Sequence, residues 1–204
     1  MKAGEALGCP VIPCTTKRPQ PLCSLKNSGW SIMRNTAGIV GIVLAGGQSR
    51  RMGKNKALIE FNGKPLVRHM IEILLQTGLR DVFVSGTVEG YPCIPDARPF
   101  FGPAQAMSGI QKLIPGYRGY LFVPVDMPFL TPDFLLNLIE QNISAYFESS
   151  PLPAYLIPPF KEYTGDSVRA LLEVQEAVVL KVPPDFSFCM KNINTPEEWK
   201  QAMR

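Results

Sequence analysis

Histidine is almost absent from this chain of 204 residues: His69 stands alone. Schemes that need two imidazoles, and metal centres built on histidine, are excluded at once. Cysteine is scarce too, at five residues. Cys9, Cys14 and Cys23 are spaced C-x4-C and C-x8-C, while Cys93 and Cys189 stand apart, so the paired C-x2-C of a structural zinc site is missing. No apolar run reaches the roughly 18 residues that a membrane-spanning helix needs. The stretch from Met1 to Cys14 lacks the apolar core of a secretory signal. Together with the odd cysteine count, this points to a reducing, cytoplasmic setting.

Charge is sparse as well. Charged residues make up 19% of the chain against 46% hydrophobic, with a mean hydropathy of +0.05, which suffices for a buried core and excludes global disorder. The net charge of +4 is confined to residues 1–36, where Lys2, Lys17, Arg18, Lys26 and Arg34 face only Glu5. Residues 37–204 carry 16 basic and 16 acidic side chains. That part has no bulk electrostatic reason to bind nucleic acid or a membrane surface, so any anion site must be local. Residues 1–36 hold four prolines and no apolar periodicity, and read as a disordered N-terminal extension. Residues 37–204 read as a single domain.

Pattern begins at Ala37. Gly38 to Leu44 is short, apolar and β-branched, and breaks at Gly46-Gly47: a buried strand feeding a glycine loop. Pro65 starts a helix whose apolar face is Leu66, Val67, Met70, Ile71, Leu74 and Leu75, ended by Gly78. Asp81–Ser85 reads as a strand, Gly102–Ile114 as a helix and Tyr120–Asp126 as a third buried strand. Thr131-Pro132-Asp133 caps a further helix. The alternation predicts parallel strands joined by right-handed crossovers, hence an α/β sandwich. Beyond Asn142 the pattern loosens. It suggests strands at 143–147, 154–157 and 177–180 and a helix at 167–174. Thr195-Pro196-Glu197-Glu198 then forms a capping box opening a last helix.

In open α/β sheets ligands bind beyond the carboxyl ends of the strands, and three features converge there. Leu44 to Lys56 combines three glycines with Arg50, Arg51, Lys54 and Lys56. Backbone N–H groups and those cations suit a polyphosphate, although a solvated basic turn has the same composition. Gln48 and Asn55 exclude a Walker loop, and Gln48 excludes G-x-G-x-x-G. Asp126 leaves a buried strand, which suits either a Mg²⁺ bridging substrate phosphates or a turn cap. Asn192 and Asn194 precede the last helix, where asparagines also serve simply as turn residues.

Taken together, Leu-Ala-Gly-Gly-x-Ser-x-Arg-Met-Gly, Lys56, Asn62-Gly63-Lys64-Pro65-Leu66, Val125-Asp126-Met127-Pro128 and Asn192-Ile193-Asn194-Thr195-Pro196-Glu197 resemble the signatures of MobA-like nucleotidyltransferases, in the family's order, over about residues 38–202. The resemblance implies a three-layer, Rossmann-like nucleotidyltransferase fold with a mostly parallel central sheet. It implies transfer of GMP from GTP to the phosphate of molybdenum-molybdopterin, yielding a guanine dinucleotide cofactor and pyrophosphate. It also implies Mg²⁺ as cofactor and leaves room for transient contact with other cofactor-biosynthesis proteins or acceptor apoenzymes.

Family roles carry over by matching position. Leu44, Ala45, Gly46, Ser85 and Asp96 would line the nucleotide site, Arg50 and Lys56 would neutralise phosphate, Asp126 would bind Mg²⁺ and contact the nucleotide, and Asn192 and Asn194 would lie on the pterin side. No general base is expected, because a phosphate oxygen is already a charged nucleophile; alignment and charge neutralisation dominate. His69, mid-helix, is read as packing or surface.

The chain also departs from the family pattern. Asn55 stands where Asp is usual, Ser85 where the guanylyltransferases have Asn, and Ala104-Gln105-Ala106 where Leu-Ala-Gly is usual. Two other readings therefore stay open: a sister transferase using CTP on the same pterin or a nucleotide on a sugar phosphate, and a catalytically weakened nucleotide-binding protein.

Overall fold

The computed structural model describes residues 35–46, 55–91, 93–94, 102–195 and 198–199. The strand expected from Gly38 to Leu44 is β1 (Ile39–Leu44), and every residue in it is buried. It is buried because it lies between two parallel neighbours, β4 (Asp81–Ser85) and β6 (Gly119–Pro124). Side-chain alternation then sends Ile39 and Val43 into one core and Val40 and Ile42 into the other. The first core is closed by α1 (Leu66–Gln76) and α3 (Pro132–Ile139), the second by α2 (Pro103–Leu113) and α4 (Val168–Val174). This gives three layers, as expected. At Gly41 an added Cβ would sit 3.0 Å from Leu74 and Leu79 side-chain carbons, so the smallest residue lets α1 lie close on the sheet.

The seven-stranded sheet runs β5-β4-β1-β6-β8-β7-β9. The β5 (Cys93–Ile94), β4, β1 and β6 strands are parallel; β8 (Ser150–Leu156) is antiparallel to both β6 and β7 (Ala145–Phe147); β9 (Val178–Leu180) is parallel to β7.

Three details differ from the sequence reading. Lys64-Pro65 forms β3, paired with β2 (Glu60–Phe61) across Asn62 and Gly63, whose φ values of +51° and +77° make the turn. Pro65 is therefore the N-cap and the helix proper starts at Leu66. Strand β8 starts at Ser150 rather than Ala154, despite Pro151 and Pro153. Strand β6 pairs only with residues 154–156, so the prolines fall where that ladder needs no donor. Finally, Pro184–Met190 forms a 3-10 helix that no periodicity announces.

The predicted capping box is present: the Thr195 hydroxyl accepts from the Glu198 N–H at 3.2 Å, and the Glu198 carboxylate accepts from the Thr195 N–H at 3.1 Å. The remainder of the expected last helix lies outside the described residues. Among the described residues, no helix is long and apolar enough to cross a membrane.

Candidate functional site

A cleft of about 300 Å³ opens at the carboxyl ends of β1, β4 and β6. Backbone bonds hold these strand ends together. Ala45 N–H donates to the Ser85 carbonyl at 2.9 Å, and Val125 N–H donates to the Leu44 carbonyl at 3.2 Å. Gly86 makes the first approach possible. Its φ is +117°, and a Cβ there would fall 2.6 Å from the Gly46 nitrogen. A glycine is thus required one residue past β4 for Ala45 and Gly46 to reach the cleft.

Lys56 enters from a 3-10 turn, Lys56–Leu58. The departure at Asn55 has a local reason. Its side-chain oxygen caps this turn by accepting from Ala57 N–H at 3.1 Å, and its amide nitrogen donates to the Thr87 carbonyl at 3.3 Å. Aspartate could make the first bond but not the second. The Lys56 ammonium donates to Asp126 Oδ2 at 3.1 Å and to Asn194 Oδ1 at 2.9 Å, and 14% of its side chain is exposed. Asp126 follows β6, and its backbone carbonyl accepts from the N–H of fully buried Ile193 at 2.9 Å. One residue pair therefore joins the middle of the chain to its C-terminal segment.

The predicted Leu44, Ala45, Gly46, Lys56, Ser85, Asp126 and Asn192 all line this cleft, and Asn194 adjoins it through Lys56. Arg50 and Asp96 lie outside the described residues. His69 packs as expected: its ring lies against Phe61 with centroids 5.0 Å apart, and Nε2 donates to the Pro128 carbonyl at 2.7 Å, steadying the turn after Asp126. Pro103 and Ala106 of α2, the latter within the 104–106 departure, and Ser150, Pro151 and Leu152 of β8, for which the sequence offered no signal, also line the cleft. Glu198 went unremarked beyond its cap. Its carboxylate accepts from the Asn194 N–H at 2.6 Å and from the Thr195 N–H, and these bonds hold its pKa below the ordinary value of 4.5.

Among the described residues the cleft offers the backbone of Ala45 and Gly46, the Lys56 ammonium, the Asp126 carboxylate, the Ser85 hydroxyl and the Asn192 amide. Among the described residues no three His, Cys, Asp or Glu side chains group to cage a metal. A carboxylate such as Asp126, facing an open cleft, suits a hard cation that takes other ligands from substrate phosphates, the mode in which Mg²⁺ is commonly held.

Residues 41–157 match the model of the MobA-like NTP transferase domain. The chain is 32% identical to a molybdenum cofactor guanylyltransferase of Xanthomonas euvesicatoria pv. vesicatoria, over 80% of this chain and 93% of that protein. It is 34% identical to a probable molybdenum cofactor guanylyltransferase of Pelotomaculum thermopropionicum, over 70% of this chain and 71% of the relative. Among solved structures it resembles molybdopterin-guanine dinucleotide biosynthesis protein A from Archaeoglobus fulgidus, with a TM-score of 0.59 and 19% identity, over 80% of this chain and 96% of that one. That last likeness concerns the fold.

Proposed function

Because the chain belongs to the MobA-like NTP transferase family, we propose that it transfers GMP from GTP to the terminal phosphate of molybdenum-molybdopterin. An acceptor phosphate oxygen attacks the α-phosphorus of GTP, the bond from that phosphorus to the β-bridging oxygen breaks, and pyrophosphate leaves with the electron pair. One observation carries the reading. Residues scattered from Leu44 to Asn192 converge on one cleft that brings the Ala45 and Gly46 backbone together with Lys56 and Asp126, in a chain that matches a guanylyltransferase over nearly all of that relative's length.

In this reading Leu44, Ala45 and Gly46 present backbone to the nucleotide, with Ser85 beside them. Lys56 and Arg50 neutralise phosphate charge. Asp126 would hold Mg²⁺, which when bound offsets charge on the phosphates as the leaving group departs. Asn192 and Asn194 face the acceptor side. No side chain needs to remove a proton, because the attacking oxygen is already ionised. The enzyme's contribution is alignment and a field set in advance.

The test is a nucleotide panel. Full-chain protein is mixed with molybdenum-loaded or metal-free molybdopterin, Mg²⁺ and each of GTP, CTP, ATP and UTP, and pyrophosphate and the dinucleotide product are measured. Product from GTP alone supports the reading. Product from CTP alone, or turnover only on a sugar phosphate, replaces it with the sister activity. Tight GTP binding with no turnover on any acceptor replaces it with a binding role.

A further inference from the structure

Among the described residues Asp126 and Asn194 accept from the Lys56 ammonium, and Asn194 is itself held from outside. Asn194, which accepts from the Lys56 ammonium at 2.9 Å, donates its backbone N–H to Glu198 Oε2 at 2.6 Å. The same oxygen accepts from the Thr195 N–H at 3.1 Å. On the other side of Asn194, Ile193 is fixed by its buried side chain and by its bond to the Asp126 carbonyl. The backbone is thus pinned before Asn194 and clamped at and after it, which restricts where the Asn194 amide can point. Glu198 is not among the residues that line the cleft.

Resting on the guanylyltransfer reading, we propose that Glu198 is a positioning residue for the transfer: through Asn194 it aims the Lys56 ammonium at the nucleotide phosphates beside Asp126. A carboxylate suits the task because it accepts from two successive N–H groups, and charge-assisted bonds are shorter and stronger than neutral ones. Glutamate at the third position of a capping box is also just long enough to reach back. An ordinary cap would stabilise a helix end and leave a lysine 142 positions earlier untouched. Here the cap and the lysine meet in Asn194.

The experiment compares full-chain wild type with Glu198→Ala, Glu198→Gln, Asn194→Ala and the Glu198→Ala/Asn194→Ala pair, without substrate first. Limited acylation with acetic anhydride is read by mass spectrometry as the rate at Lys56 relative to exposed Lys112. Lys56 should react about threefold faster or more in Glu198→Ala and in Asn194→Ala, and the pair should be no faster than either alone, because both changes cut the same connection. Glu198→Gln, which keeps an acceptor of the same reach, should stay near wild type. Unchanged Lys56 reactivity in Glu198→Ala, or additive effects in the pair, overturns the proposal. If Glu198→Ala fails to fold, Glu198→Gln and Asn194→Ala carry the comparison, and Asn194→Ala with wild-type Lys56 reactivity overturns it.

In turnover, kcat with GTP should fall about tenfold in Glu198→Ala, which is about 1.4 kcal/mol, with a smaller change in KM and substantial recovery in Glu198→Gln. A lowered melting temperature with unchanged kcat reduces Glu198 to a cap and overturns the proposal. If wild type releases no pyrophosphate from GTP, the functional reading fails on its own, and the acylation series still decides whether Glu198 positions Lys56.

Discussion

Replacing Asp126 by Asn keeps the side chain's shape and removes its charge, and the structure separates two consequences of very different size. The first concerns stability. Asp126 Oδ2 and the Lys56 ammonium lie 3.1 Å apart. At an effective dielectric of 20 their bare attraction is about 5 kcal/mol. Both side chains keep some contact with water, and desolvation takes back most of that attraction. Asparagine retains a neutral acceptor, so the net loss is the difference between a charged and a neutral hydrogen bond, about 1 kcal/mol. In a domain of this size that lowers the melting temperature by about 2–4 °C. A domain stable by about 5 kcal/mol or more stays folded after such a loss.

The second consequence concerns rate. If Asp126 holds the Mg²⁺ that offsets phosphate charge in the transition state, losing a stabilisation of several kcal/mol slows turnover about 10²–10⁴-fold. Unfolding cannot produce that drop, so the two effects are separable. The assay is pyrophosphate release as Mg²⁺ is titrated, beside thermal melts of the same samples. Near-normal turnover with unchanged Mg²⁺ dependence in Asp126→Asn would refute the assignment. A large loss of rate with a large loss of stability would instead place Asp126 in the framework.

Gly86→Ala should destabilise the chain by about 1–3 kcal/mol, because φ is +117° and the new Cβ meets Gly46 backbone at 2.6 Å; it should also raise KM for the nucleotide, and wild-type urea melts with wild-type KM would contradict this. Asn55→Asp should keep the turn cap but lose the bond to the Thr87 carbonyl, costing under about 1 kcal/mol in urea unfolding; a stabilised protein would show that the amide donor does not matter. Glu198 has its pKa held below 4.5 in the folded chain, so its contribution is fully present above 4.5 and disappears as pH falls through the lower, folded value. The melting temperature of wild type should therefore fall more steeply below pH 4.5 than that of Glu198→Gln, and parallel curves would show that the charge is not coupled to folding.

The parts of the fold that announced themselves in sequence are those whose burial is dictated by neighbours on both sides or by one helical face. Strands β1, β4 and β6 are largely apolar runs because each lies between two neighbouring strands in the covered sheet, and α1 and α3 carry a single apolar stripe with a cap or proline at the start. Strand β8 was half hidden because prolines stand at 151 and 153, which local rules read as a break; only the tertiary fact that β6 stops pairing at Ala154 makes them tolerable. The 3-10 helix at 184–190 buries Cys189 alone, so it has no periodic signal to give. In the site, Leu44 and Ser85 were legible because each ends a recognisable strand, and Asp126 because it closely follows one, β6 stopping at Pro124 rather than running on to Asp126 as expected. The demand for glycine at 86 was not, since it arises from the approach of another strand's backbone, and no local pattern relates Asn194 to a lysine 138 positions away.

The resting cleft is an argument about how such a site can be ready before its substrates arrive. A lone ammonium and a lone carboxylate on the floor of a half-dry cleft would each carry a desolvation cost, and each would wander among rotamers. Paired at 3.1 Å, and with Lys56 further tied to Asn194, they restrain each other at the cleft. If the proposed roles hold, Asp126 would be the ligand of a hard cation that offsets phosphate charge, and Lys56 would be free to pair with a phosphate. Each group would then keep an opposite charge beside it. The exchange also requires that Lys56 be held by something other than Asp126 while the carboxylate changes partner. Asn194 is a neutral acceptor that can keep one of the three ammonium protons throughout. On the proposed roles, the Glu198 clamp on Asn194 would therefore bear on how Lys56 meets a phosphate.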